Sequence, residues 1–360
     1  MHVDLDYFYA QCEENLNPTI RGKPVVVCVY SGRTEESGAV STCNYEARKF
    51  GVHAGIPIIR AKKLLEKADA TFLPMNRPLY EEVSDRIMEI LRTQSDSFEK
   101  AGIDEAYLDM SARTNGDFEE GRDLAVELKS LILQQEHATC SIGVAPNKVV
   151  AKIASDYQKP NGLTVVKHEE VKSFLSPLSV GKIPGVGTKA EEKLAELNVT
   201  TVSQLASVNP NVLVESFGKN LGGYIYHAAR GEDDDPVQER EQPTQLSRIA
   251  TLKKNTREPT EIMAMLDELA NSVALKLSER KMVCKSVSLI AILEDLSIHS
   301  KSKTLESATA DVNVIKRSIG ELVQQFLQSM PNAVLRRAGV KVSMLSKQSG
   351  QMDISKFLMP

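Results

Sequence analysis

The sequence lacks any run of 18 consecutive apolar residues, and no charged segment followed by an apolar leader opens it. A membrane-spanning helix needs about 20 apolar residues, so we expect a soluble protein that is neither inserted into a membrane nor exported. Cysteine is also scarce, with an odd number and no CxxC pair. This excludes a disulfide framework and a zinc site of common spacing, and predicts reduced, mostly buried thiols in a cytosolic protein. The cysteines are Cys12, Cys28, Cys43, Cys140 and Cys284.

An excess of positive charge is also missing, since the net charge of the 360 residues is −4. Taken over the whole chain, this value argues against a nucleic-acid-binding protein. The length is sufficient for two or more domains with cores of their own. The charge is unevenly distributed, because residues 244–344 contain fifteen basic and ten acidic residues, a net charge of +5. That region could contact a phosphate backbone, or it could have an ordinary solvated surface.

The first 165 residues alternate short apolar runs with amphipathic segments. Apolar residues at three- and four-residue spacing predict helices over Tyr80–Thr93, Phe118–Gln135 and Asn147–Asp156. This mixture indicates an α+β domain of a catalytic type, with Pro24–Leu73 as an excursion from its sheet. The predicted strands are His2–Leu5, Pro24–Tyr30, Gly38–Thr42, Phe98–Ile103, Ala106–Ser111, Cys140–Val144 and Leu163–Val166.

The rest of the chain has a different character. The sequence pattern of residues 167–231 predicts short helices joined by small turns. The segment GEDDDPVQEREQPTQ, residues 231–245, is polar, acidic and interrupted by two prolines, which is typical of a domain linker. Beyond it the pattern predicts the βαββαβ order of a split-βαβ, ferredoxin-like domain. Its elements are Ser247–Leu252, Thr260–Arg280, Ser286–Glu294, Ser297–Leu305, Ala310–Gln328 and Leu335–Ser343.

Three carboxylates stand in apolar surroundings, where burial is expected. Asp104 and Glu105 are adjacent in AGIDEAYLDM, and Asp4 lies in the apolar N-terminal strand. Two distant strands can meet in one sheet, and carboxylates so close together cannot all ionise unaided, because like charges raise each other's pKa. Two Mg²⁺ ions would remove this conflict and support an in-line phosphoryl displacement. The alternative is that Asp4 or Glu105 only caps a strand end.

Five motifs follow one another along the chain: VDLDYFYAQCE, SGAVSTCNYEARKFGVHAGIP, GIDEAYLDMS, SIGVAPNKVVAKIASDYQKPNG and IPGVG. They resemble the successive motifs of the Y-family DNA polymerases, in the archaeal branch related to DNA polymerase IV. The resemblance implies an α+β multidomain right-hand polymerase with a ferredoxin-like palm, small fingers, a helical thumb and a βαββαβ little finger. The implied domains are a palm (1–9 and 74–163), fingers (10–73), a thumb with a helix-hairpin-helix (164–231), an acidic linker (232–243), a little finger (244–344) and a tail (345–360).

The resemblance implies roles for residues of the catalytic centre. Asp4 and Asp104 resemble the carboxylates that bridge two Mg²⁺ ions, for which Mn²⁺ can substitute. Glu105 resembles the further ligand of the ion that activates the primer 3′-hydroxyl, and the Leu5 carbonyl would meet the nucleotide-side ion. Tyr9 matches the steric gate, a ring that leaves no room for a ribose 2′-hydroxyl.

The resemblance also implies contacts with the nucleotide. Tyr45 and Arg48 are three residues apart and would share a helical face. Without the resemblance, Tyr45 would be assigned to a core and Arg48 to the surface. Two sets of residues match the family. The set that holds the triphosphate is Thr42, Tyr45, Arg48 and Lys159, and the small residues that cover the nascent base pair are Val29, Ala39 and Gly55.

The thumb and the tail resemble contact sites for larger partners. IPGVG resembles a helix-hairpin-helix, in which Gly185 and Gly187 let backbone N–H groups approach a DNA phosphate beside Lys189. The tail QSGQMDISKFLMP resembles a sliding-clamp-binding peptide whose second aromatic is replaced by leucine, which implies moderate or weak clamp affinity. The alternative is a disordered terminus. The matching tail residues are Gln351, Ile354, Phe357 and Leu358.

The resemblance implies a monomeric, cytoplasmic DNA polymerase of low fidelity and processivity, used for lesion bypass and lacking a proofreading domain. Its partners would be primer-template DNA, deoxynucleoside triphosphates and a sliding clamp. Two alternatives are a non-catalytic DNA- and clamp-binding scaffold, which the intact carboxylates disfavour, and a palm-type nucleotidyl cyclase, which has no duplex to hold. The linker departs from the family, because close relatives tend to have a basic one. This argues against linker contact with DNA and against any frameshifting that depends on it.

Overall fold

The computed structural model of the chain describes residues 1–239 and 243–348. These residues form two compact units. The first contains residues 1–29, 40–56 and 60–239, and the second contains residues 30–39, 57–59 and 243–348. All five cysteines are free and buried, as the sequence predicted. Among the described helices, none is long and apolar enough to cross a membrane.

Most predicted strands and helices are confirmed, with ends that shift by a few residues. Within the described residues, the strands are β1 (His2–Leu5), β2 (Val25–Tyr30), β3 (Gly38–Cys43), β4 (Thr71–Pro74), β5 (Ser97–Lys100), β6 (Glu105–Asp109), β7 (Cys140–Val144), β8 (Leu163–Val165), β9 (Gln245–Thr256), β10 (Met282–Leu293), β11 (Ile298–Thr309) and β12 (Leu335–Lys347). The α-helices there are α1 (Phe8–Leu16), α2 (Tyr45–Arg48), α3 (Ile58–Leu64), α4 (Arg77–Thr93), α5 (Phe118–Glu136), α6 (Lys148–Tyr157), α7 (Val171–Leu175), α8 (Thr188–Glu196), α9 (Val202–Ala206), α10 (Pro210–Ala228), α11 (Pro259–Glu279) and α12 (Val312–Ser329).

A mixed sheet of order β5-β6-β1-β7-β8 forms the centre of the first unit. β1 is antiparallel to both of its neighbours, and β7 and β8 are parallel. The predicted strand over Phe98–Ile103 is too long, because β5 ends at Lys100. The amides of Ala101 and Gly102 both donate to the Glu105 carbonyl, and this turn places Asp104 before β6 rather than within a strand.

Helix α6 packs closely against β1 and β7 of this sheet. It begins after Asn147, whose side chain accepts a hydrogen bond from the Val150 amide and so caps the helix. The close approach needs a glycine in β7, since a Cβ added to Gly143 would lie 2.1 Å from the Ala151 carbonyl oxygen. As a result, the polar residues of α6 come within hydrogen-bonding distance of β1.

Two further groups of elements lie outside this sheet. A small sheet of order β3-β2-β4 lies in the excursion, and β2 and β4 are parallel. Helices α7–α10 form a separate cluster around the buried side chains of Leu194, Leu205, Leu213 and Ile225. Helix α10 bends at Gly218, whose φ of 78° lies in the left-handed region that favours glycine.

The second unit has the βαββαβ order that the sequence predicted. Its sheet has the order β11-β10-β12-β9, with each pair antiparallel. Helices α11 and α12 supply buried residues such as Leu266 and Phe326 to a core shared with Val287 and Val340 of the sheet. The strands are longer than predicted, because the pairing between β10 and β12 continues from Leu293 back to Met282.

Candidate active site

The three carboxylates predicted from the sequence meet where β1 and β6 lie side by side. Asp4 is the direct partner of Glu105 across the two antiparallel strands. The Leu5 amide donates to the Asp104 carbonyl at 2.8 Å, which holds the turn before β6 against the end of β1. All three carboxylates are partly exposed rather than fully buried. The arrangement therefore leaves them accessible to a ligand.

These carboxylates perturb one another's ionisation. Burial, followed by the effect of the nearby Asp104 charge, raises the pKa of Asp4. Burial and the neighbouring Glu105 charge likewise raise the pKa of Asp104. Glu105 behaves oppositely, because its contacts with His2 and then with Lys152 lower its pKa to about 2. Two of the three acids therefore carry their negative charge at a cost in free energy.

Two lysines and a histidine contact the carboxylates in this structure. Lys159 Nζ lies 2.8 Å from Asp4 Oδ1, and Lys152 forms an ion pair with Glu105. His2 is completely buried, with Nε2 at 3.3 Å from Glu105 Oε2. Sequence reasoning had singled out Lys159 but missed Lys152 and His2. The signal for His2 was its position two residues before Asp4, because alternate residues of a strand share a face.

The donor set suits a divalent cation. As the side chains stand, the described part of the chain has no group of three or more His, Cys, Asp or Glu residues arranged to hold a metal ion. Lysine ammonium groups occupy Asp4 and Glu105 instead. Partly exposed carboxylates with raised pKa values are oxygen ligands that a divalent cation would stabilise. The residues therefore fit such a group, provided that the lysines give way.

The predicted steric-gate residue is held by a stack of aromatic rings. The Tyr9 ring lies parallel to that of Tyr80, with centroids 4.4 Å apart and an interplanar angle of 12°. Tyr80 is completely buried, and its hydroxyl donates to Glu13 Oε1 at 2.6 Å. Burial and then the Asp104 charge raise the pKa of Tyr9. No pattern in the sequence singled out Tyr80 or Glu13.

The predicted triphosphate residues lie on β3, on α2 and in the loop after α6. The Arg48 guanidinium lies 4.4 Å above the Tyr45 ring, which confirms that these two side chains share a face. Burial raises the pKa of Tyr45, and the Lys159 charge is near enough to act on it. Thr42 is partly exposed on β3. Their part in binding a nucleotide stays a prediction.

The predicted base-pair cover and the predicted DNA contact of the thumb also stay predictions. Val29 is 48% exposed, and Gly55 has a φ of 88° with nothing within 4 Å of an added Cβ. Gly185 has a φ of 83°, and Gly187 directly precedes α8. Ala39 of the predicted base-pair cover pairs with Pro57, and Lys189 of the predicted DNA contact is exposed. Leu5, the predicted carbonyl ligand of a metal ion, lies in the central sheet. The predicted clamp peptide lies outside the described residues.

The acidic linker has partners within the first unit. Asp235 Oδ2 lies 3.0 Å from Lys148 Nζ, and Asp233 Oδ2 accepts from the Val149 amide at 3.1 Å. Glu239 lies 2.5 Å from a guanidinium nitrogen of Arg92. Three of the linker acids therefore have partners in α4 or at the start of α6.

The open face of the four-stranded sheet in the second unit carries less positive charge than the sequence suggested. Lys303 forms an ion pair with Glu321 of α12, so it lies on the helical side. Val340 and Val342 are completely buried, which turns Lys341 to the opposite face. Direct contact of this face with a phosphate backbone stays a prediction, and fewer cations could make it.

Comparison with known proteins gives consistent matches. The impB/mucB/samB family model matches residues 3–156, and the model of the C-terminal domain of that family matches residues 243–354. A model described as the thumb domain of DNA polymerase-iota matches residues 181–233. The chain is 43% identical to DNA polymerase IV of Nitrosopumilus maritimus over 357 residues, covering 99% of this chain and 98% of that one. It is 42% identical to DNA polymerase IV of Saccharolobus solfataricus, covering 95% of each chain.

Solved structures with similar folds include two from the same group of proteins. A Y-family DNA polymerase chimera, Dbh-Dpo4(243-245)-Dbh, gives a TM-score of 0.90 at 40% identity, covering 96% of this chain and 98% of that one. An insertion ternary complex of Dbh DNA polymerase gives a TM-score of 0.68 at 41% identity, covering 95% of this chain and 97% of that one. Both matches extend over nearly the full length.

Proposed function

We propose a set of residues that carries out the reaction of this chain. The chain belongs to the impB/mucB/samB family, the Y-family DNA polymerases. It is a DNA-directed DNA polymerase of low fidelity that acts in translesion synthesis. Such polymerases generally need divalent metal ions. Family membership decides against the scaffold and the nucleotidyl cyclase considered above. The observation that supports the residue assignment is the pairing of Asp4 with Glu105 beside Asp104.

Asp4, Asp104 and Glu105 would hold two Mg²⁺ ions, with the Leu5 carbonyl as a further oxygen ligand. When bound, these ions would activate the primer 3′-hydroxyl and stabilise charge on the leaving phosphate. The protein fixes the carboxylates before any substrate arrives, since β1 and β6 hold them at one end of the sheet. Lys159 leaves Asp4 and binds the triphosphate, together with Arg48, Tyr45 and Thr42.

The nucleotide is selected for its sugar by Tyr9. The Asp104 charge acts on the Tyr9 hydroxyl, and the Tyr9 ring stacks on the buried Tyr80 ring. A ribose 2′-hydroxyl would meet the Tyr9 ring, and a deoxyribose would not. Val29, Ala39 and Gly55 cover the nascent base pair with small side chains, which leaves room for a distorted template base.

The metal assignment is tested by Asp104→Asn in primer extension with Mg²⁺. We expect nucleotide addition to fall at least about 10³-fold while duplex affinity stays within about twofold, because DNA is held elsewhere. Asp109→Asn at the far end of β6 is the control, since the Asp109 carboxylate accepts a hydrogen bond from the Ser111 amide and has no part in the proposed reaction. Addition by Asp104→Asn within about tenfold of the parent would reject the assignment.

The remaining parts of the proposal concern DNA and the clamp. The predicted palm, fingers, thumb and little finger grip primer-template DNA, with Gly185, Gly187 and Lys189 at a phosphate. A monomeric, cytoplasmic enzyme binds the sliding clamp through Gln351, Ile354, Phe357 and Leu358. Removal of residues 351–360 should leave distributive extension unchanged and abolish stimulation by the clamp. Equal stimulation of the truncated and full-length proteins would reject the clamp proposal.

A further inference from the structure

Asp6 is a buried carboxylate that no step proposed above uses. It is 1% exposed and lies two residues after Asp4. Three neutral donors satisfy it: the Thr139 hydroxyl at 2.9 Å and the Asn161 amide at 2.8 Å on Oδ2, and the Ser141 hydroxyl at 2.7 Å on Oδ1. A buried carboxylate is costly unless it is hydrogen-bonded, and bonds to an ionised acceptor are about twice as strong as neutral ones.

The segment that Asp6 holds is the loop that carries Lys159. This loop, residues 158–162, joins α6 to β8. A second set of contacts fixes its far end, because Lys129 Nζ donates to Asn161 Oδ1 at 2.8 Å and to the Gly162 carbonyl at 3.2 Å. Asn161 has a φ of 54°, in the left-handed region that asparagine adopts more readily than most residues, so the loop turns sharply at this residue.

The end of β1 and the loop after α6 make two contacts with the same spacing along both segments. Asp4 and Asp6 are two apart on β1 and its continuation, and Lys159 and Asn161 are two apart on the loop. Lys159 contacts Asp4 at 2.8 Å, and the Asn161 amide contacts Asp6 at the same distance. Holding Asn161 therefore fixes the backbone two residues from the ammonium group that reaches the active site.

We propose that Asp6 is a positioning residue, which sets Lys159 for the incoming triphosphate by fixing the loop after α6. This inference rests on the proposed role of Lys159. Asp6 touches neither substrate nor metal in this account, and it acts through the Asn161 amide. Its loss should therefore weaken nucleotide binding only where Lys159 is present.

A double-mutant cycle tests the inference. Asp6→Asn should raise the apparent dissociation constant for the nucleotide about tenfold in single-turnover kinetics, with a smaller change in the maximal rate. In a Lys159→Met background the same change should have less than about a twofold effect. Equal losses in both backgrounds would overturn the inference. If Lys159→Met itself binds nucleotide normally, the triphosphate role of Lys159 fails, and this inference fails with it.

Amide hydrogen exchange separates the structural half of the inference from the functional half. In Asp6→Asn, exchange at Asn161 and Gly162 should accelerate at least about tenfold, with β1 unchanged. Unchanged exchange would show that Asp6 does not hold the loop. Thr139→Val is the second variant, because it removes the hydroxyl that lies 2.9 Å from Asp6 Oδ2 and 3.1 Å from Gln11 Oε1, and it keeps the Asp6 carboxyl group. It should give smaller shifts in the same direction in both measurements, and normal values in both would count against the proposal.

Discussion

Lysines of α6 and of the loop after it lie beside acidic residues in two regions of the first unit, with different results. At the linker, Lys148 Nζ lies 2.8 Å from Glu99 and 3.0 Å from Asp235, so one cation is shared by two acids around a nearly buried ammonium. At the active site, Lys152 and Lys159 face three carboxylates. At the active site, burial and then the charge of a neighbouring carboxylate raise the pKa of Asp4 and of Asp104.

The difference separates an ion pair that stabilises structure from one that occupies a binding site. Both Glu99 and Lys148 are almost completely buried as side chains, so their pairing is fixed and its disruption is costly. The active-site pairs are more exposed, with 24% of the Lys159 side chain and 19% of the Asp4 side chain accessible. Exposed pairs contribute little to stability and can be exchanged for a stronger cation.

The two regions should differ most in their response to the replacement of one acid in each. Glu105→Gln should lower the rate of nucleotide addition by about 10²- to 10³-fold, because an amide is a poor metal ligand. Glu99→Gln should leave that rate within about twofold and destabilise the protein by about 1–3 kcal/mol, since it weakens a buried pair. Single-turnover kinetics and denaturant unfolding measure both. Equal effects of the two variants on rate would show that the regions do not differ in this way.

Two tyrosines of the first unit allow a functional residue to be compared with a structural one. The Tyr7 hydroxyl donates to Glu14 at 3.4 Å, whereas Tyr9 is held by its ring. Tyr9→Ala should raise ribonucleotide incorporation by about 10²-fold, with only a modest loss for deoxynucleotides, because the clash involves one oxygen atom.

Tyr7→Phe is the control for this change, and it should leave the choice of sugar unaltered. The measurement is single-nucleotide kinetics with matched ribo- and deoxyribonucleoside triphosphates. Equal loss of activity toward both sugars in Tyr9→Ala would mean that Tyr9 is a packing residue.

The sequence alone was sufficient to predict the acids of this site. Asp4 and Glu105 are charged residues in apolar strands, and Asp104 directly precedes one of these strands. Charged residues in such apolar surroundings are visible in a sequence and indicate that tertiary structure must supply partners for them. The βαββαβ order of the second unit followed from periodicity for the same reason, since each element is long and regular.

The lysine partners of these acids could not be predicted. Lys152 meets Glu105 because α6 packs closely on β1, which depends on Gly143 in a third strand. Asp6 meets Asn161 across 155 residues of sequence. Local sequence patterns contain no information on contacts between residues so far apart in the chain. The docking of the acidic linker on α6 was missed for the same reason, because its composition indicated only a solvated segment.

If a divalent cation replaces the Lys159 ammonium at Asp4, removal of this lysine should strengthen metal binding, although by less than the changes in rate predicted above. Lys159→Met should increase the affinity of the nucleotide-free protein for Mn²⁺ by about three- to tenfold, because the ammonium competes for Asp4. Electron paramagnetic resonance of free Mn²⁺ measures this without catalysis. Lys182→Met is the matched control, since Lys182 pairs with Asp156, as Lys159 also does, but not with Asp4. Unchanged or weaker binding in Lys159→Met would contradict the competition.

The smallest expected effect is on stability, and its sign depends on pH. Burial and the Glu105 charge raise the pKa of Asp104, so the folded state binds this proton more tightly than the unfolded state. The resulting stability is present below the ordinary value of 3.8 and is lost as the pH rises through the folded pKa. Asp104→Asn imitates the protonated acid, so it should raise the metal-free unfolding temperature by roughly 2 °C at pH 7 and by less at pH 4.

Glu105→Gln should show the opposite sign. The pKa of Glu105 is lowered to about 2, so its charge stabilises the fold above the ordinary value of 4.5, and this contribution is lost as the pH falls toward 2. The variant should therefore unfold at a lower temperature than the parent at pH 7, and the difference should shrink as the pH falls below 4. Thermal unfolding in the presence of a chelator measures both variants. Shifts of the same sign at pH 7 would mean that the two adjacent carboxylates do not differ in the free-energy cost of their charge.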